Sequence, residues 1–341
     1  MGLSSALVFV EIDRKLANYV IRNLEYHASA FPDFPIFLVS DDKPEKLSGQ
    51  VTWIDSHSSI FSTAELTTFD SKLKNWTFGN QHSYWSATTK RLLILDALHK
   101  ELDKDHVIHL ESDSILLNEA SPDQRLFAAG GIGYPLQNPK LGCASIFTVQ
   151  NREALQTLIN FILERWQVTD STDMQLLGEF SNEFANLVSI LPSQSFENVV
   201  YDPVIFGRYL LGSDARHFRI PTSNFGYAET EHQEFLSRIA DVTASIKVND
   251  FGGRALSIRI ESTAGEQSFL ANLHVHSKRI QNVEQLRFEV NSNWSKLKRN
   301  KLKLGLGAHL YRGRFDRLVF LERLLTKVHS LRGNRTEIRL R

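Results

Sequence analysis

The stretch His106-Val-Ile-His-Leu-Glu-Ser-Asp-Ser-Ile-Leu-Leu117 decides the reading of this chain, because an apolar run there delivers two carboxylates, Glu111 and Asp113, two residues apart. Alternate side chains of a strand share a face, so the spacing predicts that both point the same way. Acidic groups at the end of a buried strand are costly unless they are solvated, paired or metal-bound. Ligands of open α/β sheets sit at that end. Converging oxygen donors there suit a hard divalent cation, Mg2+ or Mn2+. The competing reading of such a pair, taken alone, is a polar exit where a strand leaves the core.

Working outward, Thr88-Thr-Lys-Arg-Leu-Leu-Ile-Leu-Asp-Ala-Leu98 spaces its apolar residues as a helix does, and the polar turn Lys100 to Asp105 separates it from the acidic strand. Earlier, Ser5-Ala-Leu-Val-Phe-Val-Glu11 reads as a buried strand, Arg14 to His27 as a helix, and Pro35-Ile-Phe-Leu-Val-Ser40 as a second strand running into Asp41-Asp42. This is a βαβ start, in which Asp41 or Asp42 is placed to accept hydrogen bonds from a ribose or base, or to serve as a polar strand exit. Residues 55 to 87 are rich in Ser, Thr and aromatics (Phe61, Phe69, Trp76, Phe78, Tyr84, Trp85) without clean periodicity, which predicts a long loop or short helices over a site.

With a basic helix leading into Glu111-Ser-Asp113, the sequence resembles the GT-A glycosyltransferases, in which a D-x-D or E-x-D motif follows such a helix and binds the divalent metal of a nucleotide-sugar donor. The resemblance covers about residues 5 to 280 in the order of elements. It implies an α/β fold with a Rossmann-like, mixed and mainly parallel sheet flanked by helices. It also implies a catalytic domain over 1–285, followed by a basic, largely helical extension over 286–341.

Downstream, Gly130-Gly-Ile-Gly133 lacks a following amphipathic helix and reads as a turn near a strand rather than a dinucleotide fingerprint. Leu141 to Val149 predicts a strand preceded by small residues, and Arg152 to Trp166 an amphipathic helix on Leu155, Leu158, Ile159, Ile162 and Leu163. Another helix starts near Asp173, with Ser171 or Thr172 as its cap. Asp173 then either complements the helix dipole or, as the resemblance implies, contacts the acceptor or acts as base. Asp202, before a helix stopped by Gly212, is a cap or, by the same resemblance, a residue beside the acceptor cleft. Residues 244 to 263 and 268 to 276 alternate in polarity, predicting a hairpin with Gly265 in its turn.

Asn272-Leu-His-Val-His-Ser-Lys278 supplies a second polar set, since on a strand His274, His276 and Lys278 share a face. One imidazole can complete a carboxylate-bound metal site, and a lysine offers a point charge to a diphosphate. The spacing does not choose between His274 and His276, and an edge strand with a polar face is the alternative. Many GT-A enzymes carry a late histidine ligand and a nearby basic residue. The resemblance therefore implies Glu111, Asp113 and His274 or His276 around Mn2+ or Mg2+. It implies Lys278, Arg91, Ser112 and Asp41 on the donor side, and Asp173 and Asp202 on the catalytic side. Glu111 stands where the commonest motif has Asp.

The expected activity is metal-dependent transfer from a nucleotide-diphosphate sugar to a glycan or lipid-linked acceptor, in surface-polysaccharide synthesis. A metal-dependent nucleotidyltransferase or phosphohydrolase would use the same carboxylates and lysine, though no phosphate-cradling glycine loop is evident. A non-catalytic sugar-binding protein is the third reading.

The composition frames these expectations. The 341 residues are 42% hydrophobic, enough for a sizeable core. With a single cysteine, Cys143, the chain holds no internal disulfide, and with no secretory leader legible at Met1 a cytoplasmic setting is expected. Apolar runs are too short to span a bilayer. The zero net charge hides an asymmetry: residues 291–341 hold 14 Lys and Arg against 3 Asp and Glu, while the first 290 hold 25 against 36. Lys296-Leu-Lys-Arg-Asn-Lys-Leu-Lys303 and the apolar spacing of Phe315 to Val328 predict a basic amphipathic helix, fit for peripheral contact with an anionic membrane or for packing on the acidic body. No nucleic-acid reader motif accompanies that charge, and nucleic-acid binding is not expected.

Overall fold

The computed structural model describes residues 5–73, 82–102, 104–120, 131–166, 171–212, 230–249, 252–280 and 282–304. The chain falls into two units, 1–293 and 294–341. In order, the elements are β1 (Ser5–Glu11), α1 (Asn18–Ala30), β2 (Ile36–Ser40), β3 (Val51–Asp55), α2 (Ala64–Leu73), α3 (His82–Glu101), β4 (His106–Leu110) and β5 (Ser114–Leu116). There follow β6 (Ile132–Asn138), β7 (Leu141–Gly142), β8 (Ile146–Val149), α4 (Arg152–Arg165), α5 (Asp173–Glu183), β9 (Val188–Leu191), β10 (Val199–Val200) and α6 (Ile205–Leu211). The last are α7 (Thr230–Ser237), β11 (Ile239–Val248), β12 (Arg254–Ser262), β13 (Gln267–Leu270), β14 (Asn272–His274) and α8 (Val283–Leu304).

The main sheet runs β3-β2-β1-β4-β8-β6-β7, with β9 also on β6. Its first four strands are parallel, as short strands separated by crossovers require. β8 then enters antiparallel to β4, and β9 returns parallel to β6. The α/β expectation of a mixed, mainly parallel sheet flanked by helices therefore holds. Leu7, Val8 and Phe9 of β1 are fully buried, and Val107, Ile108 and Leu110 of β4 nearly so, because strands covered on both faces lose the polar alternation. Their carboxyl ends, at Glu11, Ser40, Asp55 and Leu110, all open on the same edge.

Local chemistry explains the helices around that edge. In α4, Asn151 caps by accepting from the Glu153 and Ala154 backbone N–H groups at 2.8 and 3.4 Å, and Leu155, Leu158, Ile159 and Ile162 form a fully buried stripe. Each such side chain contributes about 1.5–3 kcal/mol on burial. In α5, Thr172 and Gln175 form a reciprocal capping box that fixes Asp173 as the first helical residue. Gly178 of the same helix lets it approach β7: a Cβ there would sit 2.1 Å from the Lys140 carbonyl oxygen.

One expected boundary needed correction, one strand went unpredicted, and the expected short helices and the Gly265 turn are found. The first helix starts at Asn18 instead of Arg14, because Arg14 turns back to clasp Glu11 with bonds of 2.7 and 2.6 Å. Residues 51–55 form the parallel edge strand β3, and within 55 to 87 residues 64–73 form the short helix α2, one of the two expected forms of that stretch. Phe61 and Phe69 there are core residues, Phe69 lying 4.9 Å from the Trp166 ring, while Trp76 and Phe78 lie outside the described residues. The stretch 244 to 263 is itself a hairpin, β11–β12; Gly265, at φ 84°, turns β12 into β13 as expected. Phe315 to Val328 falls outside the described residues, and among these no helix is long and apolar enough to cross a membrane.

Candidate functional site

Glu111 and Asp113 lie in a turn, not on a strand. β4 ends at Leu110, the Ser114 N–H donates to the Glu111 carbonyl at 2.8 Å, and β5 begins at Ser114. The two carboxylates nevertheless converge, because the turn is clamped from outside. On α1, Asn23 donates to the carbonyls of Ser112 (2.8 Å) and Ser114 (2.9 Å), and the Tyr26 hydroxyl donates to Leu116 O (2.9 Å). The Leu116 N–H donates to His27 Nε2 at 3.0 Å. With Nδ1 of His27 against Asn23 O at 2.8 Å, its ring is held neutral with the proton on Nδ1, and burial pushes its pKa down to about 4.

The opposite wall is β14, paired antiparallel with β5 so that His274 faces Ser114. The His274 Nε2 lies 3.4 Å from Glu111 Oε2 and 3.3 Å from Asp113 Oδ1, and its Nδ1 meets the Pro203 carbonyl at 3.1 Å. The expected continuous strand through Lys278 ends here: the His276 N–H bonds back to His274 O, and Lys278 adopts φ 56°. The chain turns because β5, its partner, is only three residues long. The turn puts the His276 ring 6.1 Å from that of His274, and it is His274 that reaches both carboxylates. It also swings Lys278 Nζ to 2.6 Å from Asp113 Oδ2, 5.1 Å above the Tyr19 ring.

Arg91, on α3, donates to Glu111 Oε1 at 2.7 Å. Burial alone would raise both carboxyl pKa values, but Arg91 and His274 hold Glu111 below its usual range, and Lys278 and His274 hold Asp113 well below it. Burial opposes the charging of His274, yet Asp113 and Glu111 raise its pKa well above the ordinary value. Asp173 is buried and lies near enough to Arg91 and Glu111 to feel both charges. Its pKa is raised to about 6 by burial, against the Arg91 charge and a hydrogen bond from Thr88. Its Oδ1 meets no hydrogen-bond partner among the described residues.

Asp202 is a knot of the scaffold. Its Oδ1 accepts from the Val204 and Phe206 N–H groups at 3.0 and 2.9 Å, and its Oδ2 from Gly207 (2.8 Å) and His274 (3.0 Å). Gly207 lets α6 lie on β14: a Cβ there would be 1.7 Å from the His274 carbonyl oxygen. Asp41 likewise has both oxygens engaged, by the Asp13 N–H and the Ser56 hydroxyl. Ser112 is buried, with Oγ 3.4 Å from the Tyr19 hydroxyl.

The structure thus brings Glu111, Asp113, His274, Lys278, Arg91 and Asp173 to one end of the sheet, and uses Asp202 and Asp41 to hold backbone. Sequence reasoning missed Asn272, whose side chain bonds both the N–H (2.9 Å) and the carbonyl (3.0 Å) of Asp202, and missed the Glu11–Arg14 pair. A polar residue opening an apolar strand was the available signal for Asn272. Nothing in the spacing marked Cys143, whose ligand atom lies with those of Glu111 and His274 within 4.8 Å of one another.

The chain is similar to solved glycosyltransferases. PaToxG glycosyltransferase matches at 13% identity and a TM-score of 0.37, over 54% of this chain and 70% of that one. Mouse xyloside xylosyltransferase 1 matches at 11% and 0.38, over 55% and 84%, and the bifunctional WbbM at 14% and 0.39, over 70% and 44%. No protein-family model and no curated protein matches the chain. Likeness at this level assigns neither activity nor substrate, which rest on the residues.

With bonds of about 2.0–2.2 Å, ligand atoms around a divalent cation stand roughly 3.0–3.5 Å apart, and His274 Nε2 lies at that separation from each carboxylate; among the described residues, the three whose ligand atoms all lie within 4.8 Å of one another are Glu111, Cys143 and His274.

Proposed function

We propose that the protein is a metal-dependent glycosyltransferase of the GT-A type, moving a sugar from a nucleotide-diphosphate sugar to a glycan or lipid-linked acceptor in surface-polysaccharide synthesis. The observation that carries the reading is the approach of His274 Nε2 to both Glu111 and Asp113, at 3.4 and 3.3 Å, at the carboxyl end of β4, with Lys278 and Arg91 each on one carboxylate.

Glu111, Asp113 and His274 would hold a Mn2+ or Mg2+ ion, which would supply charge neutralisation to a departing diphosphate. Lys278 and Arg91 add fixed positive charge there, oriented by their ion pairs before substrate arrives. Asp173 takes the proton of the acceptor hydroxyl on its unpartnered Oδ1 as the new C–O bond forms and the bond to phosphate breaks. In a direct displacement this inverts the anomeric centre. Ser112 and Asp41 shape the donor side, Asp202 holds His274 in register, and residues 286–341 form a basic extension that rests peripherally on the inner face of an anionic membrane.

The test is donor hydrolysis with UDP-, GDP-, CMP- and TDP-sugars and Mn2+, comparing the intact chain with Asp113→Ala. Turnover of one donor that requires both Mn2+ and Asp113 is expected. No turnover together with no Mn2+-dependent nucleotide binding would remove the transferase reading. Liposome binding that is unchanged on deleting residues 291–341 would remove the membrane contact.

A further inference from the structure

We infer that the same centre takes a thiophilic divalent cation, Zn2+ or Co2+, in a second donor set formed by the Cys143 sulfur, Glu111 and His274. The inference rests on the reading of this centre as a cation site and does not depend on sugar transfer.

The three residues arrive from separate parts of the fold: Glu111 from the turn after β4, Cys143 from between β7 and β8, and His274 from the end of β14. Their ligand atoms lie within 4.8 Å of one another. Tetrahedral Zn2+, with bonds of about 2.3 Å to sulfur and 2.0–2.1 Å to nitrogen and oxygen, needs separations of roughly 3.4–3.6 Å, so closure by about 1 Å completes the set. The sulfur is not sealed in hydrocarbon. Its S–H donates to Pro203 O at 2.7 Å, the same carbonyl that His274 Nδ1 meets at 3.1 Å, so thiol and imidazole already share one polar anchor. Asp202 fixes the backbone of His274, and Ser145, two residues after Cys143, donates to the Asp202 carbonyl at 2.9 Å. The two ligand segments are therefore tied to a common knot.

The chemistry separates this set from the carboxylate-only one. Sulfur, imidazole and carboxylate donors together favour Zn2+ and Co2+, whereas Mg2+ prefers oxygen alone. On binding, metal–sulfur and metal–nitrogen bonds form as the S–H proton and the His274 Nε2 proton leave to solvent, and three protein ligands leave one position for water or a substrate oxygen. Asp113, paired with Lys278, stands outside this set.

Cys143 is the only cysteine of the chain, so any thiolate signal belongs to it. The full-length protein, stripped with a chelator and kept under a non-thiol reductant, is titrated with Co2+. A near-ultraviolet thiolate-to-Co2+ charge-transfer band that saturates at one equivalent and is displaced by Zn2+ is expected. The band should vanish in Cys143→Ser and in Cys143→Ala, with Zn2+ affinity falling about 100-fold or more, since even outer partners of a metal site are worth 10–100-fold. In His274→Ala the band should need at least about tenfold more Co2+. Co2+ binding without the band overturns the inference, as does a band unaffected by His274→Ala, which would mark a solitary thiol. Mn2+ binding, read by the paramagnetic resonance of free Mn2+, separates the two readings. Retained Mn2+ binding with no Co2+–thiolate band sinks only the second donor set, and loss of both sinks the cation site itself.

Discussion

Acid should loosen the acidic turn through one buried histidine, His27. In the folded chain its Nε2 accepts the Leu116 N–H and its Nδ1–H donates to Asn23 O, so the ring has no place for a second proton. Its pKa falls from the ordinary 6.5 to about 4 because burial disfavours the charged ring. A histidine with a depressed folded pKa contributes stability that is intact above the unfolded pKa and lost as pH falls, because between 6.5 and 4 the unfolded chain binds a proton that the folded chain refuses. A shift of about 2.5 units, at 1.36 kcal/mol each, corresponds to a loss of about 3 kcal/mol between pH 7 and pH 4, with a slope approaching 1.4 kcal/mol per pH unit in mid-window. Urea denaturation from pH 7.5 to 4, in chelator, should show this slope in the parent. His27→Gln keeps a neutral donor and acceptor at the position and should lose that share of the slope, retaining the share of His109, whose pKa burial also lowers to about 4. Parallel stability profiles for parent and His27→Gln would refute the assignment of the neutral ring.

Two further outcomes follow from the geometry. In Gly207→Ala the new methyl must move from 1.7 Å to beyond about 3 Å from His274 O, a displacement of more than 1 Å; since 1 Å of misplacement can cost about 100-fold in rate, donor turnover should fall by that order with a lowered Tm, and an unaltered Tm with unaltered Mn2+ binding would show that α6 does not position β14. If Asp173 takes the acceptor proton, kcat/KM should fall as pH drops through about 6, where its carboxyl becomes protonated, and this limb should be missing from the residual activity of Asp173→Asn.

Much of this centre was legible because polar residues interrupting apolar runs are conspicuous, and Glu111, Asp113, His274 and Lys278 all do so. The spacing around Arg91 and Asp173 placed both on helices, and their roles came from the resemblance alone. The geometry was less legible. Strand alternation predicted the convergence of Glu111 and Asp113 for the wrong reason, since a turn clamped by Asn23, Tyr26 and His27 achieves it. Those three residues occupy one face of α1, yet no local pattern says that the face meets a turn some ninety residues away. Cys143 was silent, because its nearness to His274 exists only once β14 pairs with β5, and the polar Asn272 that opens β14 marked a strand start without saying that it would hold Asp202. The strand β3 was missed because Thr52, half-buried Trp53 and Asp55 give an edge strand too little apolar content to stand out.

The pairing of β14 with β5 is three residues long, yet it brings His274 and Lys278 to carboxylates made more than 150 positions earlier. During synthesis from the amino terminus, the parallel strands β1 to β4 are complete before any part of β14 exists. Until then Glu111 and Asp113 face each other with Arg91 but without imidazole or ammonium, and like charges held close repel. The centre is therefore completed late, its closure carrying the entropy of a very long loop, and a nascent chain that ends before β14 would hold the acidic turn without its imidazole and its ammonium.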